Sequence, residues 1–372
     1  MERSKKLRPF NFLIFTFTLI LIALGIVMVF SASTPAAKNQ FDNIYHYLYQ
    51  QLIAFGVGLV ALLAASFVNY KLYKKFAWFI YGAAIVLLGL VLIPGIGTIY
   101  NGAQRWITIG SFDLQPSEIY KFALIVLFSK LLSEDKIKTG KFFKGYMLYI
   151  GILIVSAVLL ILEPHLSGTI IVLIIGMVLL FAGGAKLWHM LVTIIPALAG
   201  LGYIAMYTEY MKERIVTWLD PFAYAQGEGY QVVQSLYAIG SGGLLGKGAG
   251  KSMQKFLYIP EPQNDFIFAI LAEELGFFGV VVVIVLFVML MYHGIKVAKN
   301  SPDKFSGLMA TGISALIFIQ ATLNIAVVTG SVPATGISLP FFSAGGTGLV
   351  MFMGEIGILL NISRYAGKVR KE

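Results

Sequence analysis

Cysteine is absent from the 372-residue sequence, and histidine is scarce. The absence of cysteine excludes disulfide bonds, thiolate nucleophiles and cysteine-based metal or redox centres. The four histidines are scattered and never take the HExxH spacing of a zinc site, so each is more typical of a helix end than of a metal ligand. Chemistry is therefore expected from carboxylates, cations and polar uncharged side chains.

Charged residues are also few, because they make up 12% of the chain, whereas soluble domains contain about 25%. Hydrophobic residues account for 58%, and the mean hydropathy is +0.83. The apolar residues are grouped in runs close to the ~20 residues with which a helix crosses a ~30 Å hydrocarbon core. The sequence predicts an all-α, polytopic integral membrane protein that forms a single domain over residues 1–372. About ten transmembrane helices are expected, near residues 11–33, 47–68, 76–94, 116–133, 144–162, 165–182, 187–206, 264–294, 304–328 and 340–362.

The distribution of cations predicts how these helices are oriented. Lysine and arginine outnumber aspartate and glutamate by 28 to 18, which gives a formal net charge of +10. Cations gather in alternate short loops and in both tails, as the positive-inside rule requires of cytoplasmic segments. Both termini are therefore expected on the cytoplasmic side of the cell membrane. The cations concerned are Arg3, Lys5, Lys6, Arg8, Lys71, Lys74, Lys75, Lys136, Lys138, Lys141, Lys144, Lys186, Lys296, Lys299, Lys304, Arg364, Lys368, Arg370 and Lys371.

A long segment near residues 207–263 is predicted as an extracellular loop between helices 7 and 8. Loops of this length are uncommon unless they are functional. Within it, Gly240–Ser252 (GSGGLLGKGAGKS) resembles a phosphate-binding P-loop, but Leu245 stands where the first glycine is required. Neither a nucleotide nor a nucleic acid is therefore expected as a partner. The segment is either a flexible loop or a turn whose backbone N–H groups, together with Lys247, approach a phosphate or a sugar.

Three carboxylates, Asp265, Glu273 and Glu274, lie where this loop runs into helix 8. A charge within the bilayer costs several kcal/mol, so their positions need an explanation. Asp265, at the outer end of the helix, is the candidate for chemistry, whereas the two glutamates lie about 12 to 14 Å further along. We expect the glutamates to support the helix bundle, with Glu274 bonded to Asn324 or Gln320.

Two smaller constellations each allow two interpretations. Glu118 and Lys121 are i, i+3 neighbours at the start of helix 4, and they form either a self-satisfied ion pair or a cation aimed at a lipid-linked phosphate. Glu163 and His165 flank a proline at the turn before helix 6, where they either cap that helix or contact a substrate.

The last motif, Val332–Gly348, contains two prolines and four glycines. This composition predicts a broken re-entry at membrane depth, which is tolerated only where the backbone is buried in protein or lines a cavity. We expect it to face the same cavity as Asp265.

A set of motifs runs in order along nearly the whole chain: Gly102-Ala-Gln-Arg-Trp106, Gln115-Pro-Ser-Glu118 with Lys121, Glu163-Pro-His-Leu-Ser-Gly-Thr169, Gly229-Tyr-Gln231, Gln234-Ser235, Ala238-Ile-Gly-Ser-Gly-Gly243, Asp265-Phe-Ile-Phe-Ala269, Glu273-Glu-Leu-Gly276, Gly336-Ile-Ser-Leu-Pro-Phe341 and Ser343-Ala-Gly-Gly346. Together they resemble the SEDS proteins (shape, elongation, division and sporulation), and they are closer to the FtsW and SpoVE branch than to RodA. The resemblance implies a ten-helix membrane fold and a peptidoglycan glycosyltransferase. Such enzymes polymerise lipid II into glycan strands on the outer face of the cytoplasmic membrane, with a class B penicillin-binding protein as transpeptidase partner.

The resemblance maps the family's external-loop aspartate onto Asp265, which we expect to be the general base, with undecaprenyl pyrophosphate as the leaving group. The cofactor is unknown, no metal ligand is assigned, and a divalent cation, Mg²⁺ or Mn²⁺, is left open. A lipid II flippase and a scaffold that only recruits the transpeptidase remain as alternatives, as do roles in division, sporulation or elongation. The chain departs from the family at Gln263-Asn264, where many members have His-Thr, and at Ala344 and Thr347. Substrate contacts are expected from Arg105, Glu118, Lys121, His165, Gln231, Lys247, Gln263, Asn264 and Ser343.

Overall fold

The computed structural model describes residues 9–100, 103–110, 112–134, 139–207, 209–227, 229–256, 259 and 262–366. In these residues the chain is mainly helical, which confirms the predicted all-α class. Several residues named in the sequence analysis lie outside the described residues, namely Arg3, Lys5, Lys6, Arg8, Gly102, Lys136, Lys138, Lys368, Arg370 and Lys371. The helices are α1 (Phe12–Phe41), α2 (His46–Phe67), α3 (Lys71–Val91), α4 (Pro116–Ser133), α5 (Met147–Leu162), α6 (Leu166–Ala182), α7 (Leu187–Tyr207), α8 (Glu209–Leu219), α9 (Tyr230–Gly242), α10 (Ile267–Lys299), α11 (Lys304–Val328) and α12 (Gly346–Tyr365).

Ten of these helices coincide with the predicted apolar spans, and only α8 and α9 do not. Among the described residues, six helices are long and apolar enough to cross a membrane: α1, α2, α3, α10, α11 and α12. The helices α5 and α6 are shorter apolar helices, and a π-helical turn over Phe142–Tyr146 leads into α5. The protein is therefore polytopic, while ten membrane crossings and cytoplasmic termini stay predictions.

Helix α1 is longer than predicted, because it continues through Pro35 to Phe41 instead of ending near residue 33. Its N-terminus is capped by Asn11, whose side chain accepts hydrogen bonds from Leu13 N and Ile14 N. At the other end, Asp42 takes a left-handed conformation, with φ of 51°, and pairs with Lys38. Small residues on the last turns of α1, such as Ala36 and Ala37, are buried, so packing rather than hydropathy maintains this extension.

The loop between α3 and α4 folds into a small antiparallel sheet that was not predicted. Its strands are β1 (Thr98–Tyr100), β2 (Ala103–Ile109) and β3 (Phe112–Leu114), with β2 in the middle. The sheet is attached to the helices through Thr347, whose hydroxyl donates to Asp113 O at 2.6 Å and accepts from Gln115 N at 3.3 Å. It thereby positions Arg105, on β2, near the helical bundle.

Helix α10 begins at Ile267 rather than near residue 264, so Asp265 lies in the turn before the helix and not within it. The helix is also broken at Gly276, where φ is 66° and ψ is −166°. Only glycine adopts this conformation without strain. The first half-helix, Ile267–Leu275, is therefore a separate rigid piece between Asp265 and the long apolar half.

The stretch Gly240–Ser252, which we call the glycine-rich segment, packs against this break in α10. A Cβ built on Gly246 would lie 2.2 Å from Glu274 O, and one on Gly276 would lie 2.2 Å from Gly246 N. The backbones are joined by hydrogen bonds from Lys247 N to Glu273 O at 2.9 Å and from Phe277 N to Gly243 O at 2.9 Å. The glycines thus allow two backbones to pack in direct contact. The sequence analysis offered a flexible loop or a turn that approaches a phosphate or a sugar, and neither includes this role.

The connections between helices form two groups at opposite ends of the bundle. One group lies at the end of the bundle that carries Asp265 and contains the α1–α2, α3–α4, α5–α6 and α11–α12 connections; we call it the Asp265 end. The other contains the α2–α3 and α10–α11 connections and the last turns of α4 and α12; we call it the Lys71 end. There, Tyr70 N donates to Asn361 Oδ1 at 3.1 Å, and Tyr70 OH donates to Asp303 Oδ2 at 2.6 Å.

Candidate functional site

The site at the Asp265 end is built around the connection between α11 and α12, Thr329–Gly345, which we call the α11–α12 loop. It forms no helix or strand, and Gly336 has a positive φ of 62°. Four of its apolar side chains are buried, those of Ile337, Leu339, Phe341 and Phe342. The predicted irregular backbone is therefore present and packed in protein, and its depth in a membrane stays a prediction.

Polar side chains from α6 and α8 hold this loop in place. Ser167, in the first turn of α6, donates to Thr335 O. Arg214 and Trp218, one turn apart on α8, donate to Ala334 O and Gly330 O, the latter at 2.8 Å. Helix α8 thus has a definite function in the fold, although the sequence indicated only a long loop there.

Asp265 lies against the middle of this loop. A Cβ built on Gly336 would be 3.2 Å from Asp265 Oδ2, so the carboxylate is adjacent to the glycine backbone. Asn324, on α11, donates to Asp265 O at 2.8 Å and to Ile337 O at 2.5 Å. One amide group therefore fixes both the turn that carries Asp265 and the loop that faces it. The N-terminus of α10 follows directly, and its dipole favours a negative charge at this position.

Lys121 approaches the same loop from α4. Its Nζ lies 2.7 Å from Glu118 Oε2, which confirms the i, i+3 pair, and it also donates to Gln320 Oε1 at 2.7 Å. Gln320 in turn donates to Ser338 O at 3.2 Å. Gln320 thus links Lys121 to Ser338, and Asn324, one turn further along α11, links Asp265 to Ile337. Ile337 and Ser338 are consecutive residues of the α11–α12 loop.

A second carboxyl group faces the buried ion pair. Glu355, on α12, is 2% exposed and interacts electrostatically with both Lys121 and Glu118. Phe352, one turn earlier, places its ring centroid 5.8 Å from Lys121 Nζ. The sequence analysis did not identify Glu355, because a single glutamate in an apolar helix carries no motif.

Arg105, Glu163 and His165 meet at the turn between α5 and α6. Arg105 donates to Pro164 O, and the Glu163 side chain is fully buried, with no hydrogen-bond partner for its carboxyl oxygens among the described residues. Burial raises the pKa of Glu163 to about 8, although the charge of Arg105 opposes this shift. Burial, reinforced by Arg105 and Lys121, lowers the pKa of His165 to about 3. At neutral pH the imidazole is therefore neutral and the carboxyl group is largely protonated.

The other predicted site residues are placed in two groups. Gln263 and Asn264 directly precede Asp265, and Gln263 O accepts a hydrogen bond from Ala344 N at 3.2 Å. Ser343, next to Ala344, accepts from Gly345 N at 3.2 Å. These residues are close to Asp265, and their contacts with a substrate stay predictions.

Gln231 and Lys247 belong to elements that pack around this centre. Gln231 is in the first turn of α9, whose Ser235 donates to Val328 O at 2.6 Å at the end of α11. Lys247 forms an ion pair with Glu273 at 2.7 Å, so its predicted contact with a phosphate or sugar would require this pair to be shared or broken.

Glu273 and Glu274 are buried and serve to attach the glycine-rich segment to α10. The predicted bond of Glu274 to Asn324 or Gln320 is wrong, because those two amides hold the α11–α12 loop instead. The carboxylate oxygens of Glu273 accept from Ser241, Lys247, Ser252, Met253 N and Gln254 N, and those of Glu274 accept from Ser31, Gly250 N, Ser252 N and Lys255.

A divalent cation would find few protein ligands here. Among the described residues, no three His, Asp or Glu side chains gather as a metal centre requires. Mg²⁺ is often held by one or two carboxylates together with substrate phosphates. Since these residues offer no built site, no step of the chemistry below depends on a metal.

Comparison with known proteins gives consistent matches along the chain. The family model of the FtsW, RodA and SpoVE proteins, described as cell cycle proteins, matches residues 11–368. Stage V sporulation protein E of Bacillus subtilis is 39% identical over 98% of this chain and 99% of its own. A probable peptidoglycan glycosyltransferase FtsW of Coxiella burnetii is 39% identical over 93% of this chain and 94% of its own.

Solved structures show the same fold. A chain from a structure described as structural coordination of polymerization and crosslinking by a peptidoglycan synthase complex matches with a TM-score of 0.81 and 27% identity, over 97% of this chain and 99% of that chain. The crystal structure of the rod shape determining protein RodA of Thermus thermophilus matches with a TM-score of 0.70 and 27% identity, over 97% and 98% of the two chains. The similarity therefore extends over the whole architecture.

Proposed function

The chain belongs to the FtsW, RodA and SpoVE family of cell cycle proteins, and from this premise we propose that it is a peptidoglycan glycosyltransferase. Its substrate is lipid II, which it polymerises into glycan strands at the Asp265 end, on the outer face of the bacterial cytoplasmic membrane. The observation that carries this proposal is the placement of Asp265 and Lys121. Both approach the α11–α12 loop, and adjacent turns of α11 hold them there.

Asp265 acts as the general base in this proposal. Its carboxylate accepts the proton of the acceptor sugar hydroxyl while the hydroxyl oxygen forms a bond to the anomeric carbon of the lipid-linked donor. The bond from that carbon to the pyrophosphate oxygen breaks, and undecaprenyl pyrophosphate leaves with the electron pair. Positioned proton transfer of this kind contributes about 10² to 10⁴ in rate. The hydrogen bond from Asn324 to Asp265 O supports the role, because it fixes the backbone that carries the base.

Cations near the α11–α12 loop stabilise the leaving group. Negative charge develops on the pyrophosphate as the glycosidic bond forms, and a cation held in a site with little water stabilises that charge strongly. Arg105 donates to Pro164 O at the turn before α6, and Lys121 is linked through Gln320 to Ser338 of the α11–α12 loop. The imidazole of His165 is neutral because burial lowers its pKa, so it adds no third charge there.

A class B penicillin-binding protein is the proposed partner. The support comes from the matched chain of the peptidoglycan synthase complex, whose description joins polymerization to crosslinking. Crosslinking by a transpeptidase consumes the glycan strands that a polymerase produces, so the two activities are consecutive.

The direct test is polymerisation of labelled lipid II by the purified protein in detergent, with and without the transpeptidase. The wild-type protein is expected to give polymer ladders, and Asp265→Asn is expected to lower the yield at least a hundredfold, because the base is lost while the side-chain volume is kept. The matched control is Asp42→Asn, which removes an exposed carboxylate at the same end of the bundle, at a left-handed position that asparagine tolerates.

Three outcomes would contradict the proposal. Near-normal polymer from Asp265→Asn would remove the base assignment. Absence of polymer from the wild-type protein, together with movement of lipid II across liposomes, would favour a flippase. Absence of both activities, with transpeptidase binding that survives Asp265→Asn, would favour a scaffold.

A further inference from the structure

A cavity of about 650 Å³ lies at the Lys71 end, on the opposite side of the bundle from Asp265. It is formed where the start of α3, the end of α4 and the start of α11 meet, and the proposed polymerisation does not use it. Its charged lining residues are Lys71, Lys74, Lys75, Lys130, Lys304, Glu134 and Asp303.

The lining of this cavity is strongly cationic, with five lysines against two carboxylates. Among the described residues, none of the five lysines has a carboxylate oxygen within 4.0 Å. Asp303 is already committed, because it accepts hydrogen bonds from Tyr70 OH at 2.6 Å and from Ser306 N at 2.9 Å, where it caps α11. Lys74 reaches across from α3, with Nζ 5.9 Å from the centre of the Phe305 ring. The lining therefore has three more lysines than carboxylates.

The helix geometry adds to this positive potential. Lys71, Lys74 and Lys75 lie in the first five residues of α3, and Lys304 is the first residue of α11. Helix N-termini carry a partial positive charge, so lysines at these positions are unfavourable unless an anion is near. At the start of α3, Lys71 N donates to Asn69 Oδ1 at 3.0 Å and Leu72 N donates to Asn69 O at 2.9 Å, so the donors that remain for an anion are the lysine ammonium groups. Five ammonium groups and the positive ends of two helix dipoles thus lie around one cavity, where they favour an anion.

The surface next to the cavity indicates where the anion comes from. Trp78 and Phe79 follow Lys75 at i+3 and i+4, so they lie on the same face of α3, and they are 54% and 75% exposed. In a membrane protein, such bare apolar side chains contact lipid. A lipid whose acyl chains lie along this face of α3 would have its headgroup at the lysines. Basic pockets between transmembrane helices bind anionic lipid headgroups in this way.

We propose that the cavity at the Lys71 end binds the phosphate group of an anionic membrane phospholipid. The charge distribution of the sequence assigns this end to the cytoplasmic leaflet. The lipid fills a site separate from that of the polymerised substrate, and it stabilises the packing of α3, α4 and α11. This inference does not depend on the chemistry proposed for Asp265.

Thermal unfolding of the purified full-length protein in detergent tests this site. Short-chain phosphatidylglycerol is titrated as the probe, with phosphatidylcholine of the same chain length and inorganic phosphate as comparisons. Phosphatidylglycerol is expected to raise the unfolding temperature saturably, and phosphatidylcholine and inorganic phosphate are expected to do so far less. The double variant Lys74→Gln/Lys304→Gln is expected to weaken the apparent affinity for phosphatidylglycerol roughly 25-fold, because each lysine near an anionic lipid contributes about fivefold.

The matched control is Lys296→Gln/Lys299→Gln, which removes the same charge from the last turn of α10, where lysines suit the helix dipole. It is expected to keep the wild-type response. The variant Lys74→Arg/Lys304→Arg, which keeps the charge, is expected to retain the phosphatidylglycerol effect and so separates charge loss from misfolding. Equal stabilisation by phosphatidylcholine, equal stabilisation by inorganic phosphate, or the same loss in the control variant would each overturn the proposal.

Discussion

The carboxyl group of Glu163 is kept out of water by the turn between α5 and α6. Because burial raises its pKa from 4.5 to about 8, the folded protein holds a proton that the unfolded chain releases over this range. The contribution of Glu163 to stability is therefore largest below pH 4.5, decreases as the pH rises, and levels off above about pH 8. From pH 7 to pH 8.5 the free energy of unfolding should fall by about 1 kcal/mol on this account.

Glu163→Gln is expected to remove this decrease, because the amide has the same shape and no charge to gain. The measurement is thermal or denaturant unfolding at pH 7 and pH 8.5 for both proteins. His165 does not interfere, since its pKa is lowered to about 3, and its own contribution changes only below about pH 6.5, where the unfolded imidazole is protonated. A variant that shows the same pH slope as the wild-type protein would mean that Glu163 is ionised in the fold.

The buried pair of Lys121 and Glu118 is a second prediction at the scale of single residues. Both side chains are nearly inaccessible, so removing one partner leaves the other charge without compensation. Lys121→Met is expected to lower the free energy of unfolding by about 3 to 5 kcal/mol. The double variant Glu118→Gln/Lys121→Met is expected to lose less than the sum of the two single variants, which a double-mutant cycle measures. Simple additivity would indicate that the two side chains do not interact.

At the scale of elements, the contact between the glycine-rich segment and α10 has a clear test. Gly246 has φ of +78°, and an added Cβ would lie 2.2 Å from Glu274 O, so Gly246→Ala forces the two backbones apart. We expect a loss of about 2 kcal/mol or more in stability from strain and displacement. The control is Gly240→Ala in α9, where nothing lies within 4 Å of the new Cβ and helix propensity favours alanine by about 1 kcal/mol. If both variants unfold alike, the close contact at Gly246 has no energetic importance.

The elements differ in how well their sequences predict them. The apolar runs predict the membrane helices, since a lipid environment leaves the helix as the simplest way to satisfy the backbone. Helix α8 was not predicted, because its sequence EYMKERIVTWL carries several charges and resembles a loop by hydropathy. The break at Gly276 was also missed, since its cause is the approach of Gly246 from 30 positions away. The position of Asp265 after a polar loop identifies it in the sequence, whereas Ser31 could not be identified as a partner of Glu274, because the two residues are 243 positions apart.

At the scale of the whole molecule, the two ends of the bundle carry different chemistry. The Asp265 end contains a carboxylate beside the α11–α12 loop and a buried ion pair, while the Lys71 end contains a cavity with five lysines. The proposed reaction requires the Asp265 end to face outward, because glycan strands are assembled outside the membrane. The positive-inside rule requires the Lys71 end to face the cytoplasm. These two requirements are independent, and the fold satisfies both with one orientation.

The absence of cysteine allows this orientation to be measured without interference from native thiols. Asn43 lies in the exposed turn after α1, at the Asp265 end, and Asn300 lies in the exposed turn after α10, at the Lys71 end. In intact spheroplasts, a membrane-impermeant maleimide is expected to label Asn43→Cys at once. Labelling of Asn300→Cys is expected only after the membrane is permeabilised, which serves as the control that its thiol is accessible. The reverse pattern would place Asp265 in the cytoplasm, and the proposed polymerisation of lipid II on the outer face would then be wrong.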